Sequence, residues 1–142
     1  MADSIEHHPE SLLRFPTYAL GKLHKALHAE IDSSLRDHWV LVYLEERAPI
    51  SQQVISDVLE IDRSEVVRMI DSLEAAGLVT RTRDPHDRRR YQLTVTTKGR
   101  RKTQETEREI EAATDHVLRR LDPVERDTLA RLARKALGLD AP

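Results

Sequence analysis

Apolar residues recur at intervals of three and four positions through most of the chain, and this spacing predicts a mainly helical protein. Positions spaced in this way share one face of an α-helix, which is then available for burial. Leu20, Leu23, Leu27 and Ile31 form one such stripe near the start of the chain. The pattern predicts helices over residues 17–35, 37–47, 51–59, 63–76, 97–121 and 123–137.

One stretch departs from this spacing and alternates instead. Tyr91, Leu93 and Val95 are separated by single polar residues, which is the two-residue period of a half-buried β-strand. Residues 78–83 provide a plausible second strand, and the charged loop of residues 84–90 joins the two. These features predict a β-hairpin with a solvent-exposed loop.

Residues typical of helix ends divide the central helices into a tight pair. Ser51 suits an N-cap, Asp62 followed by Glu65 resembles a capping box, and Gly77 stands where a helix C-terminus often adopts a left-handed backbone. Helix, tight turn, helix and basic hairpin together form the layout of a winged helix-turn-helix. The predicted fold class is therefore mainly α with a small β-hairpin wing, flanked by further helices at both ends.

The net charge of −2 conceals an uneven distribution. Between Arg81 and Lys102 there are nine basic and two acidic residues, a net charge of +7, so the rest of the chain carries −9. A basic cluster is often only a solvated face, but this one lies directly behind a helix-turn-helix. The concentrated positive field therefore favours DNA as the partner.

The second helix of the pair is expected to lie in the major groove with its first turns towards the bases. Arginine suits the O6 and N7 atoms of guanine, and valine suits a thymine methyl group. The outward positions of this helix are Arg63, Ser64, Val67 and Arg68. The start of the preceding helix, where backbone N–H groups and short polar side chains suit phosphates, consists of Ser51, Gln52 and Gln53.

The hairpin and its neighbours resemble a known family. The run D-P-x-D-R-R-x-x-x-L-x-V-T-x-x-G, which extends from Asp84 to Gly99, is similar to the wing of the MarR family of transcriptional regulators. Segments on both helices of the pair and at the start of the last helix agree, so the resemblance covers residues 12–138. It implies a homodimeric regulator, more often a repressor than an activator, that binds double-stranded DNA at a palindrome-like operator.

The resemblance also implies roles within the wing. Arg89 would enter the minor groove, where negative potential is concentrated, while Asp87 braces it. Arg88 and Arg90 would then contact phosphates, and Lys98, at the start of the next helix, is a further phosphate candidate.

Four regions are predicted along the chain. Residues 1–8 are polar and expected to be disordered, and residues 37–99 form the winged helix-turn-helix. Residues 9–36 and 100–142 carry amphipathic helices that the winged helix does not need. We expect these terminal helices to bury their apolar stripes in a homodimer, as the resemblance also implies.

A ligand site is expected from the resemblance, because family members often release DNA when a small, frequently aromatic ligand binds between the dimerisation helices and the winged helix. The candidate residues here are Phe15, Tyr18, His38, Trp39 and Tyr43. Aromatic residues in helical proteins are often simply part of the core, so this alternative stays open.

A metal site is a second alternative. His24 and His28 are four positions apart on one helix face and could ligate zinc, with a third ligand from elsewhere. The regulator would then respond to a metal, or it would have no small-molecule effector at all. No cofactor is expected otherwise.

Composition excludes several other classes. The chain has no cysteine, so it forms no disulfide and cannot sense oxidants through a thiol. No apolar run approaches the ~20 residues of a membrane span, and no apolar signal segment opens the chain, so the cytoplasm is the expected compartment. A hydrolase or nuclease would need a nucleophile elbow, a phosphate-binding glycine loop or H-E-x-x-H, and the sequence has none of these motifs, so no enzyme is expected. A helical interaction protein without DNA binding would have a neutral wing.

Overall fold

The computed structural model describes residues 8–140, which contain seven helices and a hairpin between the fifth and sixth of them. The elements are α1 (Glu10–Leu13), α2 (Pro16–Ala29), α3 (Leu35–Arg47), α4 (Gln52–Leu59), α5 (Arg63–Ala75), β1 (Val79–Arg83), β2 (Tyr91–Val95), α6 (Thr97–Val117) and α7 (Pro123–Ala136). The predicted fold class, mainly helical with a winged helix-turn-helix, is confirmed. None of these helices has the length and apolar character needed to cross a bilayer. The disorder predicted for residues 1–8 falls outside the described part of the chain, except at His8.

Residues 32–109, here called the winged-helix unit, enclose a hydrophobic core. On α5 the buried side chains are Val66, Ile70 and Leu73, which follow the i, i+4, i+7 spacing of one helix face. Burying an aliphatic side chain of this size contributes about 1.5–3 kcal/mol, so this core supplies most of the favourable free energy of the unit. The full core consists of Val40, Leu41, Leu44, Ile55, Ile61, Val66, Ile70, Leu73, Val79, Leu93 and Val95.

The hairpin has the register that its alternation predicts. β1 and β2 pair antiparallel from Val79 opposite Val95 to Arg83 opposite Tyr91. Ile50, in the extended entry to α4, adds a bridge to Leu93, and its carbonyl accepts the Leu93 N–H at 2.8 Å. The wing is therefore attached to the start of α4 as well as to the end of α5.

The structure explains why the wing motif ends in a glycine, Gly99. A Cβ at this residue would lie 2.2 Å from the carbonyl oxygen of Leu78 and 2.6 Å from Cγ2 of Val95. Both atoms belong to the closely packed base of the hairpin, so a larger residue would have to displace backbone. The first turn of α6 can cross the hairpin at this distance only because residue 99 has no side chain.

Most of the predicted helix starts are present. The Ser51 hydroxyl accepts the Val54 N–H, and Asp122 forms a capping box with Glu125 in front of Pro123 at the first helical position. The capping box expected at Asp62 is wrong in one detail. Asp62 caps α5 by accepting the Ser64 N–H, but Glu65 pairs with Arg36 of α3 instead of reaching back to the cap.

Two helices end earlier than their apolar stripes predict. α2 stops at Ala29 because the next residues are drawn into a loop, in which the backbone N–H groups of Asp32 and Ser33 both donate to Glu109 at 3.0 Å. The Ser33 hydroxyl also donates to Glu109, and this hydrogen bond has the largest effect on the pKa of Glu109. Together with the backbone hydrogen bonds, it holds that pKa below its usual value. α6 stops at Val117 because a turn must precede Asp122-Pro123, where proline disfavours helix in the residue before it.

The described residues outside this unit, 8–31 and 110–140, form the terminal-helix unit. α2 and α7 contain no buried residue. Large apolar side chains here are widely exposed, for example 51% for Leu20, 50% for Leu132 and 73% for Leu137. Polar contacts within the unit include a hydrogen bond of 2.9 Å between His8 and Tyr18. The assignment of dimerisation to the terminal helices remains a prediction.

Candidate nucleic-acid interface

A cleft of about 280 Å³ opens where α4, α5 and the wing meet. The start of α4 forms one side, the first two turns of α5 form the floor, and the end of the wing loop forms the other side. Its lining consists of Ser51, Gln52, Gln53, Ser56, Arg63, Val66, Val67, Arg89, Arg90 and Tyr91. Candidates predicted separately on three elements are thus brought to one surface.

The start of α4 presents hydrogen-bonding groups to this cleft. Ser51 is the N-cap, and its side chain satisfies the Val54 N–H at 3.4 Å. Gln52 is half-buried, and its Oε1 accepts a hydrogen bond of 2.8 Å from Arg81 of β1. Gln53 is exposed. A helix start of this kind carries partial positive charge, which favours an anionic ligand such as phosphate.

The first turns of α5 expose a mixed polar and apolar face. Arg63 and Arg68 are exposed, and Val67 is 42% exposed although it is apolar. The hydroxyl of Ser64 is hydrogen-bonded to the Asp62 carboxylate. An exposed valine flanked by arginines suits contact with a base edge in a groove.

The wing loop holds its arginines through one carboxylate. Asp87 accepts the backbone N–H of Arg89 at 3.1 Å and its Nε at 3.2 Å, and Arg90 Nε lies 3.7 Å from the second carboxylate oxygen. The hydrogen bonds from Arg89, the backbone one first, lower the pKa of Asp87 below its usual value. The Arg89 side chain is 91% exposed, so it is oriented at its base but extends into solvent.

Five of the predicted DNA-contact residues lie outside the lining of this cleft, namely Ser64 and Asp87, described above, and Arg68, Arg88 and Lys98. Arg68 and Arg88 are exposed, and the carbonyl of Arg88 accepts a hydrogen bond of 2.5 Å from Arg83 within the wing. Lys98 donates to the carbonyl of Ala76 at 2.8 Å, which satisfies the C-terminus of α5. The structure thus gives Lys98 a role in the fold, and phosphate contact by this residue remains a prediction.

Sequence reasoning misses two residues that line the cleft and one, Arg81, that contacts the elements around it. Tyr91 is predicted only as a strand residue, and no contact is predicted for Ser56. Val66 is predicted on the buried face of α5, and its exposure of 1% confirms this. Arg81 is counted with the exposed basic cluster, yet its side chain is only 19% exposed. Its position two residues after the buried Val79 on β1 is the signal that could have found it, because alternate strand residues share a face.

The five candidate ligand residues fall into two groups. Phe15 and Tyr18 belong to the terminal-helix unit, where Phe15 is 54% exposed. His38, Trp39 and Tyr43 lie on α3 of the winged-helix unit: His38 is buried, Tyr43 packs partly against the core, and Trp39 is 46% exposed. Burial lowers the pKa of His38, against the opposing effects of Glu107 and Glu45, and its Nδ1 has no hydrogen-bond partner among the described residues.

The candidate metal ligands His24 and His28 lie next to each other on the exposed surface of α2, with their rings tilted by 42°. Their ring centroids are 3.8 Å apart, and Nδ1 of His28 donates to the carbonyl oxygen of His24 at 2.9 Å. Nε2 of His28 is then the nitrogen that could bind a metal. Within residues 8–140, no group of three or more His, Asp or Glu side chains is arranged to hold a metal ion.

Comparison with known proteins decides the family. Residues 32–90, which include α3, α4, α5 and most of the wing, match the model of the MarR family. This region of the chain is a MarR-family winged helix-turn-helix. A relative from Thauera aromatica, named as a putative transcriptional regulatory protein for the hcr operon, is 32% identical over 92 residues, which are 65% of this chain and 55% of that protein. The chain thus spans about half the length of this curated relative.

Solved MarR-type structures match a larger share of the chain. BpsR from Bordetella bronchiseptica, described in a study of how 6-hydroxynicotinic acid regulates its DNA binding, is 27% identical with a TM-score of 0.70, and 96% of each chain is covered. A cysteine-to-serine mutant of MarR from E. coli in complex with operator DNA has a TM-score of 0.69, and the match covers 89% of this chain and 94% of the mutant. At 24% identity, the second similarity concerns the fold alone.

Proposed function

We propose that this MarR-family protein is a homodimeric, sequence-specific DNA-binding transcriptional regulator. The observation that carries the proposal is the cleft between α4, α5 and the wing, which sets Arg63, Arg89 and Arg90 around the exposed apolar side chain of Val67. Arginines contact phosphates and guanine edges, and an apolar surface contacts thymine methyl groups. Double-stranded DNA presents phosphates, guanine edges and thymine methyl groups.

The acidic residues near the cleft do not oppose this interpretation. Asp62 accepts hydrogen bonds from Ser64 of α5, Asp87 is paired with Arg89 in the wing loop, and Glu65 is paired with Arg36. The exposed charges that a phosphate backbone would meet are therefore mainly positive. By its position, Glu65 can still influence which base sequences are accepted.

The exposed apolar stripes of the terminal helices support a homodimer. Leu20 on α2 and Leu132 on α7 are about half exposed in the single chain, and neither helix contains a buried residue. A second copy would cover these stripes with the same surface, as a two-fold interface requires. The operator would then contain two half-sites ~34–36 Å apart, and would read as a palindrome.

A small aromatic acid is the effector class that we propose, with the DNA-bound protein acting as a repressor. Support comes from BpsR, whose DNA binding is regulated by 6-hydroxynicotinic acid. Trp39, which is 46% exposed on α3, is suited to stack on an aromatic ring. A metal response through His24 and His28 has less support, because two imidazoles alone bind zinc weakly. We propose no catalytic activity.

The test begins with selection of duplexes from a random pool, followed by fluorescence-anisotropy titration at several salt concentrations. We expect tight binding of selected duplexes and weak binding of scrambled ones, with affinity that falls steeply as salt rises. Arg89→Ala should weaken binding and reduce the slope of log K against log salt by about one for each wing. Arg120→Ala, a change at an exposed arginine outside the winged-helix unit, is the matched control and should leave both quantities unchanged.

Two results would contradict the proposal. If no sequence is enriched by selection, the protein is not a sequence-specific regulator. If Arg89→Ala and Arg120→Ala have equal effects, the wing does not take part in binding.

The effector class is tested through Trp39, which is the only tryptophan of the chain. 6-hydroxynicotinic acid and related aromatic acids are titrated while tryptophan fluorescence and DNA release are measured together. A ligand that changes the fluorescence and releases DNA over the same concentration range supports the proposed class. DNA release without a change in fluorescence would exclude Trp39 from the ligand site.

A further inference from the structure

Arg81 differs from the other arginines of the wing in facing inwards. Its side chain is 19% exposed, whereas those of Arg89 and Arg90 are 91% and 70% exposed. Arg81 pairs with the buried Leu93 in the hairpin and follows the buried Val79 by two residues. The alternation of the strand thus directs a charged side chain towards the helices behind the wing.

The guanidinium group of Arg81 joins three elements of the DNA interface. Its Nη2 donates to Oε1 of Gln52 at the start of α4 and to Oδ1 of Asp71 on α5, both at 2.8 Å. Its Nη1 lies 3.7 Å from Oε1 of Glu74, one turn further along α5. The same group lies 5.8 Å from the ring centroid of Tyr91 on β2, within the range of a cation–π contact.

These contacts require the shape of arginine and not only its charge. A planar guanidinium group presents several N–H donors at fixed angles, so it can reach α4 and α5 at once. The ammonium group of lysine is a compact charge on a flexible stem and cannot reproduce this geometry.

Stability alone gives a poor explanation for Arg81. Its Nε is buried and has no hydrogen-bond partner among the described residues, which is unfavourable. Partly buried ion pairs are often no more stabilising than apolar residues of similar size. Since Asp71 and Glu74 are 58% and 42% exposed, the pairs are also weakened by solvent.

Geometry at the cleft gives a better explanation. Because the amide oxygen of Gln52 accepts from Arg81, the other end of this side chain is the NH₂ group, which is a donor suited to phosphate. Arg81 also neutralises Asp71 and Glu74, two acids on the helix expected to read the bases. Its own charge is thereby used within the protein, so it adds little to the field that attracts DNA.

We propose that Arg81 is a positioning residue for sequence discrimination. It fixes the start of α4, the reading helix α5 and the wing relative to one another without contacting DNA. This inference rests on the proposed function, because it assumes that these three elements bind one duplex. It predicts that loss of the guanidinium geometry reduces the preference for the correct sequence, while general attraction to DNA is retained.

The experiment compares wild type, Arg81→Lys and Arg100→Lys on a selected and a scrambled duplex across a salt series. Arg100 is an exposed arginine of the same basic segment, so the identical substitution there is the matched control. We expect Arg81→Lys to reduce the ratio of specific to non-specific affinity by ~10-fold, about the effect of one mismatched base pair. The salt slope should stay unchanged, and Arg100→Lys should behave as wild type.

The salt slope and the affinity ratio distinguish positioning from a purely structural role. Partial unfolding would lower the active fraction and reduce apparent affinity for both duplexes equally, so each titration includes a stoichiometric measurement of active protein. An unchanged ratio overturns the inference, and so does a salt slope that falls by about one per wing, since Arg81 would then be a phosphate contact.

A second variant covers the case in which Arg81→Lys fails to fold. Asp71→Asn changes an exposed side chain and leaves Arg81 in place, so the fold should be kept while the contact is weakened. A ~3-fold smaller affinity ratio is expected, and an unchanged ratio overturns the inference. If wild type itself does not discriminate between the duplexes, the proposed function fails and the inference fails with it. If wild type discriminates and the variants match it, the inference fails and the proposed function stands.

Discussion

The winged-helix unit and the terminal-helix unit have the same kind of apolar pattern but differ in what covers it. In the winged-helix unit the stripes of α3 and α5 are buried, with Leu44 and Ile70 at 0% exposure. In the terminal-helix unit α2 and α7 leave comparable side chains exposed, 51% at Leu20 and 50% at Leu132. Helical periodicity therefore identifies the face that is available for burial, but not the surface that buries it.

The difference in burial also suggests that the two units have different roles. A unit with its own core can hold a DNA-reading surface in a fixed geometry, whereas helices with exposed stripes gain by association with another surface. We therefore propose that the winged-helix unit recognises DNA and that the terminal helices associate with a second copy of the chain. The following predictions test this division.

The largest effect is expected from a charge placed in the exposed stripe of α7. Leu132→Asp would bury an unpaired carboxylate at a two-fold interface, once in each subunit, and should weaken the dimer by at least about 4 kcal/mol, roughly a thousandfold. Sedimentation equilibrium measures this change. Ala130→Asp adds the same charge at an exposed position on another face of α7 and should leave the dimer intact. Equal dissociation constants for the two variants would remove α7 from the interface.

A second prediction concerns the core of the winged-helix unit. Leu44→Ala should lower the free energy of unfolding by about 3 kcal/mol, because it deletes a fully buried side chain and leaves a cavity. Val58→Ala, at a valine that is 52% exposed on α4, is the control and should change the free energy by less than about 0.5 kcal/mol. Both values come from urea unfolding followed by circular dichroism. Similar losses would mean that burial in the single chain does not determine stability here.

A pair of glycines compares the two units directly. Gly99→Ala should destabilise the winged-helix unit by about 2 kcal/mol, because the new Cβ would overlap the Leu78 carbonyl. Gly21→Ala on α2 meets no atom within 4 Å in the described chain and should stabilise that helix by about 1 kcal/mol. Thermal unfolding measures both changes. A destabilising Gly21→Ala would indicate that a second subunit approaches α2 at this point.

The smallest effect is a dependence on pH through His38. Burial holds the pKa of His38 in the folded chain below the usual value of 6.5. As pH falls, the unfolded chain therefore binds a proton at this residue at a higher pH than the folded chain does. Well above pH 6.5, His38 is neutral in both states and has no effect on the free energy of unfolding. This free energy should fall as pH decreases through 6.5 towards the lower pKa of the folded chain. His38→Gln should flatten the dependence of unfolding free energy on pH between about 7 and 5. His86→Gln, at an exposed wing residue, should leave the dependence as in wild type.

Local features of the fold could be predicted because their causes lie within a few residues. Ser51, Asp62 and Asp122 cap helices, and the alternation from Tyr91 to Val95 forms a strand, because these depend on neighbouring backbone groups. The contact between Asp87 and Arg89, which the resemblance to the MarR wing implies, is also local, since the two residues are two positions apart.

Features that depend on distant residues were not accessible. Glu65 pairs with Arg36, 29 residues away, instead of completing the cap of its own helix. The early end of α2 depends on Glu109, which is far along the chain. The inward role of Arg81 depends on acceptors from two other helices. The sequence shows which kinds of partner each of these side chains can bind. Which partner it contacts depends on the residues that tertiary packing brings next to it.

The central claim is that the cleft between α4, α5 and the wing reads DNA, and hydrogen–deuterium exchange with and without a selected duplex tests it most directly. Our account predicts slower exchange on DNA binding in residues 51–56, 63–68 and 87–91. A scrambled duplex at the same concentration should produce little protection. Protection by the selected duplex that is confined to residues 8–31 and 110–140, with these three segments unchanged, would contradict the account.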